Sequence, residues 1–288
     1  MSLRLVTCNV MPHAYAVIAR WAERHGHDIV LLVTSPAGTA ERYGVSYLEA
    51  VAAAAPQHAV LVTENLRAAT PLIAATQPDL LLSASFPHRI PTNLTAIPRY
   101  GAYNLHPAAL PQGRGPNPLR LIYEGSSTTG VTLHQISPRL DAGDIFSRRE
   151  APLPEELTAE GILSLWDQLC DEVLDEGIAR ALAGEPGTPQ DEAQASYAAP
   201  FTPEEHWLRW DRPLRLLRNQ AAALMDSAYA ELDGKPVTIL SLDPDPTVAP
   251  DVLPGTVLHQ SDHDARVRVL DGVAHVTYAP YPNGDNVL

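Results

Sequence analysis

Lysine is almost missing from this sequence: Lys235 is the only one in 288 residues, and every other cationic side chain is arginine. Cysteine is scarce as well. Cys8 and Cys170 are too few for a disulfide framework, which excludes the small cross-linked secreted scaffolds. The apolar runs at 29–33 and 80–84 fall far short of the roughly 20 residues that a membrane span requires, so no transmembrane segment is expected. Residues 1–10 lack both a basic stretch and a small-residue cleavage site, and a cytoplasmic location is the expectation. Positive charge is short overall, with 20 Lys and Arg against 34 Asp and Glu and a formal net charge of −14. That balance argues against broad contact with a phosphate backbone, which needs a clustered basic footprint. Repeats and low-complexity tracts are also absent. What remains is an ordinary globular composition, 45% hydrophobic and 19% charged, able to bury a sizeable core. The length fits one large domain and a smaller one.

The first half alternates apolar runs with amphipathic stretches. Strands are predicted over 3–10, 28–34, 59–63 and 79–83, with helices over 14–25, 47–55 and 66–76 between them. This alternation implies βαβ units and a parallel sheet with helices on both faces, the α/β class. Strands at 100–106, 129–136 and 145–150 extend the same sheet. Apolar residues from Ile162 to Ile178, spaced by three and four, predict a long amphipathic helix over 158–182 with Thr158 as its cap. Prolines 186, 189, 200 and 203 with Gly184 and Gly187 mark a linker. The expected organisation is a catalytic domain over 1–183, a linker over 184–203 and a C-terminal domain over 204–288. In the last of these, a helix over 214–225 precedes strands over 228–232, 237–242, 255–259, 266–270 and 274–278. Asp233-Gly234 and Asp271-Gly272 are hairpin signals, and a small OB-like β-barrel is one arrangement of such strands.

The chemistry concentrates in Asn104-Leu105-His106-Pro107. Residues two apart on a strand share a face, so Asn104 and His106 point together while Leu105 enters the core. An amide beside an imidazole can polarise a carbonyl and exchange a proton, the two needs of acyl transfer. Alone, such a pair on a strand is more often a hydrogen-bonded edge pair. A second segment follows, Thr129-Gly130-Val131-Thr132 and then Leu140-Asp141-Ala142-Gly143, whose glycine lets a loop pass close to a ligand. Asp141 also fits a plain turn carboxylate.

Taken together, Asn104-x-His106-Pro107, Leu110-Pro111, Arg114-Gly115, Thr129-Gly130-Val131-Thr132 and Leu140-Asp141-x-Gly143 resemble the signature of the folate-dependent N-formyltransferases. The resemblance covers about residues 3 to 182. A weaker likeness to the methionyl-tRNA member follows at Tyr197, Thr202-Pro203-Glu204-Glu205 and Trp210-Asp211. It implies a Rossmann-like formyltransferase domain with a smaller β-rich, OB-like C-terminal domain, and 10-formyltetrahydrofolate as cosubstrate. The implied catalytic trio is Asn104, His106 and Asp141. Asn104 and a protonated His106 would hydrogen-bond the developing oxyanion, while Asp141 would orient His106 or hold a relaying water. Phe86, His88, Arg89, Ile90 and Pro91 would wrap the pteridine, with Leu110, Ile136, Leu140 and the loop from Pro138 to Asp141 lining the same pocket.

Two departures bear on the acceptor. The turn Thr7-Cys8-Asn9-Val10-Met11-Pro12 lacks the glycines of a phosphate nest, which disfavours glycinamide ribonucleotide. The stretch 35–46 holds one base, Arg42, where the tRNA enzyme carries a basic loop. The expected substrate is therefore a small-molecule amine, an amino sugar or a hydroxyornithine-type amino acid of a natural-product pathway, and a nucleic-acid partner is not expected. Methionyl-tRNA formylation, a non-catalytic folate-binding protein and hydrolysis of formylfolate are the alternatives. No metal is expected, since His259, Asp262, His263 and Asp264 read as a solvated loop. Trp207 and Trp210 read as packing residues and Cys8 as a small buried hydrophobe. Arg212, Arg215 and Arg218 read as a solvated basic face. The sequence is silent on oligomeric state.

Overall fold

The computed structural model describes residues 2–36 and 47–282. The alternation becomes β1 (Arg4–Cys8), α1 (Pro12–Arg24), β2 (Asp28–Thr34), α2 (Leu48–Ala53), β3 (Val60–Val62), α3 (Leu66–Ala75) and β4 (Leu80–Ser83). After these come α4 (Thr92–Thr95), β5 (Ala102–His106), α5 (Arg120–Tyr123), β6 (Thr128–Gln135), β7 (Ile145–Pro152) and α6 (Ala159–Leu182). The seven strands form one sheet in the order β3-β2-β1-β4-β5-β6-β7. β1 to β5 run parallel, and β6 and β7 run antiparallel to their neighbours. This is the expected α/β, Rossmann-like arrangement.

Burial explains the continuous apolar strands. Every residue of β4 is buried, Leu80 and Leu82 in one apolar cluster and Leu81 in another, so both faces of the sheet are covered. α1 begins on Pro12, whose missing N–H costs nothing at a first helical position. α6 starts where the Thr158 hydroxyl accepts the Gly161 N–H, as its cap position predicts. The four-residue helices α4 and α5 carry too few residues for a periodic signal and were not expected.

The C-terminal part holds α7 (Leu214–Leu224), β8 (Tyr229–Leu232), β9 (Lys235–Asp245), β10 (Val257–Gln260), β11 (Asp264–Val269) and β12 (Gly272–Pro280). Its antiparallel sheet has the order β10-β11-β12-β9-β8 and encloses its own apolar cluster with Leu217 and Trp210. The β-rich expectation holds. Among the described residues no ladder joins β8 to β10, so the sheet stays open there. Asp233 and Gly234, at φ 47° and 74°, form the two-residue turn between β8 and β9. The second hairpin differs from expectation by one residue. Val269 pairs with Gly272, so Leu270 and Asp271 make the turn, and Asp271 Oδ1 accepts the Leu214 N–H at 2.8 Å.

The proline-rich segment runs as a strap along the first half. Thr188 bridges Ile145 and Tyr197 bridges Arg114. Further on, the buried Arg120 guanidinium binds the Glu205 carboxylate and the carbonyls of Ala199 and Pro200, and lies over the Phe201 ring at 4.8 Å.

Candidate active site

The site grows from the period of two in β5. Leu105 packs into the main core, while Asn104 and His106 occupy the other face. Pairing with β6 sets Asn104 opposite His134 and His106 opposite Thr132. His106 is 5% exposed, and its Nε2–H donates to the Gly113 carbonyl at 2.8 Å. Nδ1 therefore faces Asp141, 3.9 Å from Oδ2. That oxygen accepts the Gly115 N–H at 2.9 Å, and Asp141 Oδ1 lies 3.5 Å from His134 Nε2. His134 Nδ1 donates to the Gln135 carbonyl at 3.0 Å, and its Nε2 accepts from Asn104 Nδ2 at 3.2 Å. Asn104, His134, Asp141 and His106 thus form one contiguous chain.

The Asp141 loop is held tightly. Asp141 has φ 48°, in the left-handed region, and a Cβ on Gly143 would run into the Gln135 carbonyl. Thr132 clamps the opposite side, donating to Ala108 O at 2.7 Å and accepting from Leu110 N at 3.1 Å.

Electrostatics follows from burial. Burial pushes the Asp141 carboxyl up, but the adjacent His134 and His106 rings and the Gly115 N–H together hold it down, at about 2. His106 is lowered from its ordinary value because desolvation outweighs the Asp141 charge and the Gly113 hydrogen bond. A lowered imidazole is neutral at pH 7 and can take a proton. Beside it stands an amide that can donate to an oxygen. Such a pair suits attack of a nucleophile on a carbonyl.

The residues expected around the folate separate into two groups. Phe86, Ile90 and Ile136 are partly buried on one apolar cluster. His88 sits beside them, its Nε2 2.8 Å from Ser35 Oγ, and Pro91 caps α4. Arg89 and Leu140 line a cavity of about 450 Å³ together with Arg114, Pro138, Arg139 and Tyr197. Leu110 is fully buried and lies outside the residues lining that cavity; its carbonyl accepts from Arg148 at 2.6 Å.

Two family models match in tandem: formyl transferase over residues 8–174 and formyl transferase, C-terminal domain, over residues 200–284. The chain belongs to the formyl transferase family. It is similar to the methionyl-tRNA formyltransferase of Listeria monocytogenes serovar 1/2a, 32% identical over 221 residues that cover 74% of this chain and 71% of that one. The methionyl-tRNA formyltransferase of Thiobacillus denitrificans is 31% identical over 265 residues, 89% and 84% of the two chains. Among solved structures, the N-formyltransferase from Helicobacter canadensis in complex with folinic acid and dTDP-3-aminofucose matches with a TM-score of 0.66 at 15% identity, over 96% of this chain and 99% of that one. HypX from Aquifex aeolicus in complex with tetrahydrofolic acid matches with a TM-score of 0.69 at 17% identity, over 96% and 44%. At such identities the two structures share the fold. Family membership carries the expected enzyme class, a formyltransferase with 10-formyltetrahydrofolate as cosubstrate.

Three residues of this formyltransferase site escaped the sequence reading. His134 was legible as the partner facing Asn104 once the β5–β6 hairpin pairing is drawn. Arg114, 7% exposed, belongs to a quoted motif but had no role, and it binds both Gln190 and Glu192. Gln190 lies 76 residues from Arg114, and no local pattern announces it. The remaining candidates lie elsewhere. Cys8 is fully buried among apolar side chains, which pushes its thiol up to about 12. Trp210 is buried in the C-terminal core, and Trp207 packs on Tyr229 and Tyr281. Arg212 and Arg218 lie within 4.0 Å of Asp211 and Asp243, while Arg215 is exposed. No group of three or more His, Cys, Asp or Glu among the described residues can hold a metal ion, and no described helix is long and apolar enough to cross a membrane. Arg42 lies outside the described residues.

Proposed function

We propose that this formyltransferase moves the formyl group of 10-formyltetrahydrofolate to the amine of a small molecule, an amino sugar or an N-hydroxylated amino acid such as hydroxyornithine, in a cytoplasmic natural-product pathway. The catalytic unit would span 1–183, with 184–203 joining it to the unit at 204–288. The observation that supports the chemistry is the continuous chain from Asn104 through His134 and Asp141 to His106. The apolar wall of Phe86, Ile90 and Ile136 suits a flat heteroaromatic ring, with Arg89 at the adjoining cavity.

Attack of an uncharged amine on a formyl carbonyl puts negative charge on the oxygen and a surplus proton on the nitrogen. Asn104 directs one N–H to His134 and keeps the other for that oxygen, a donor typically worth about 2.7 to 4 kcal/mol in the transition state. His106 rests neutral, so it takes the amine proton at Nδ1; it is not charged in advance as an oxyanion donor. Asp141 stays ionised and stabilises the imidazolium that forms, directly or through a water across the 3.9 Å gap. As the tetrahedral adduct collapses, the bond from the formyl carbon to the folate nitrogen breaks and the imidazolium gives its proton to that departing nitrogen, which restores neutral His106 and releases tetrahydrofolate.

Charge supports a small acceptor. Besides the net −14, the arginines Arg114, Arg120 and Arg139 near the strap and Arg209, Arg212, Arg218 and Arg266 in the C-terminal part each lie within 4.0 Å of a carboxylate. A polyanion would have to displace those partners. Methionyl-tRNA is the second reading, favoured by the 31% and 32% identities to enzymes of that name. The two separate when methionyl-tRNA and a panel of amino sugars and N-hydroxylated amines are offered in parallel with 10-formyltetrahydrofolate at ~0.15 M salt. Tetrahydrofolate release with a small amine is expected. Efficient, salt-sensitive formylation of the tRNA would overturn the small-molecule reading.

A further inference from the structure

The two walls of the His106–Asp141 pair come from separate turns. Residues 113–115 supply the Gly113 carbonyl that fixes His106 and the Gly115 N–H that fixes Asp141. Residues 141–143 supply the carboxylate and its left-handed backbone. A side chain from the strap between the two halves of the molecule joins these walls. Gln190 Oε1 accepts from Arg114 Nε at 3.0 Å and Nη2 at 2.8 Å, while its Nε2 donates to the carbonyls of Asp141 and Gly143, both at 2.8 Å. All four hydrogen-bonding positions of the amide are thereby used. The strap itself is anchored on both sides of Gln190, by Thr188 on Ile145 and by Ser196, whose Oγ accepts the Gly113 N–H at 2.9 Å.

We propose that Gln190 is a positioning residue for formyl transfer, an amide cross-brace that sets the spacing between His106 and Asp141 by tying the 113–115 turn to the 141–143 turn. This rests on the proposed roles of His106 and Asp141. Gln190 touches neither side chain. It acts on the backbone of one and, through Arg114, on the residues flanking the other's hydrogen bonds. A turn held only by its own glycine can relax, and a displacement of ~1 Å in a reacting constellation costs on the order of a hundredfold in rate. The brace also makes the catalytic centre depend on the segment that leads to the C-terminal half.

The test compares wild type with Gln190→Leu, which is similar in size and removes every polar atom, and Glu192→Ala, on the same strap and bonded to the Arg114 and Arg139 side chains but not to the backbone of the 141–143 turn. Two readouts are taken. One is kcat and KM for formyl transfer. The other is the NMR titration of the His106 ring in histidine-labelled protein, its signal assigned by loss in His106→Ala. The groups facing that ring are Asp141, which raises its affinity for protons, His134, which lowers it, and the Gly113 carbonyl. In Gln190→Leu, kcat is expected to fall about ten- to a hundredfold with KM for the donor within about threefold, and the His106 titration to move further down as the carboxylate withdraws. Glu192→Ala is expected to leave the titration where wild type has it. An unmoved His106 titration and a kcat within about twofold of wild type in Gln190→Leu would overturn the proposal, as would an equal shift in Glu192→Ala. If Gln190→Leu does not fold, Gln190→Glu, which keeps the Arg114 bonds and loses the two N–H donors, decides on kcat: a value within about twofold of wild type overturns the brace and a larger loss supports it. Should wild type formylate no acceptor at all, the proposed function fails, while the titration still decides the role of Gln190.

Discussion

Two of the histidine–aspartate clusters among the described residues differ in their access to water. In the first half His106, His134 and Asp141 are 5%, 2% and 8% exposed. On the C-terminal sheet His275 Nε2 lies 3.6 Å from Asp264 Oδ1, with both side chains about two-fifths exposed. Both carboxyls are held below their ordinary range, Asp264 by the Ser261 hydroxyl first and the nearby histidines after it. In the buried cluster the His106 imidazole is pushed down as well, because desolvation of the ring exceeds the help from its carboxylate. Residue types in proximity do not make a proton-transfer site. Exclusion of water and fixed hydrogen-bond partners set the buried cluster apart.

The comparison breaks if the buried cluster proves dispensable. His106→Ala and Asn104→Ala are each expected to lower turnover by at least about a hundredfold while folate binding stays within about tenfold, because in the proposed mechanism Asn104 donates to the reacting carbonyl and His106 takes the amine proton. Turnover above about a tenth of wild type in either variant removes that residue from the chemistry. A smaller effect is expected between the two halves. Arg120→Ala strips the Glu205 carboxylate and two carbonyls of their common donor, and a loss of about 2 to 3 kcal/mol in denaturant unfolding is expected, below the range for a fully buried pair because Glu205 is 28% exposed. An unchanged midpoint would show that the halves hold together without it. At the small end, Asp264→Ala and His275→Ala are expected to leave turnover unchanged and the melting temperature within about 2 °C of wild type, since exposed pairs are screened and mobile. A tenfold loss of activity in either would erase the distinction between the clusters.

Acid sensitivity sharpens the same contrast. The folded His106 binds its proton less readily than the unfolded ring, whose pKa is about 6.5. The unfolded state therefore holds more protons just below that pH, and stability falls as pH drops from about 6.5 toward the lowered folded value. Asp141 acts in the same direction lower on the scale: its stabilisation is full above the unfolded carboxyl value and is lost as pH falls toward about 2. Equilibrium unfolding across pH 3 to 7 is expected to show a shallower decline between about pH 6.5 and 5 in His106→Ala than in wild type.

How much of this was legible in the sequence depends on the range of each contact. The βαβ alternation, the long helix capped by Thr158 and the shared face of Asn104 and His106 follow from periods of 3.6 and 2, and those are local properties. The five C-terminal strands were legible for the same reason. The turn after β11 slipped by one residue because Asp271 is drawn to the start of α7, a contact 57 residues away. His134 needed only the ladder opposite Asn104. Gln190 had no local signal, since its three partner residues lie 47 to 76 residues off and a proline-rich stretch reads as a linker whatever it rests on. Distant hydrogen bonds leave no period in a sequence.

The measurement closest to the centre of the molecule's chemistry is the pH dependence of single-turnover formyl transfer, taken for wild type and Asp141→Asn with an amine that wild type accepts. Wild type is expected to lose rate with an acidic inflection below the ordinary imidazole value of about 6.5, because in the proposed mechanism the neutral His106 is the active form. Asp141→Asn removes the charge that supports the imidazolium, so its inflection is expected at still lower pH and its plateau lower by about ten- to a hundredfold. An inflection at or above 6.5 in wild type that stays in place in Asp141→Asn would contradict a neutral, Asp141-supported His106 as the group that takes the proton.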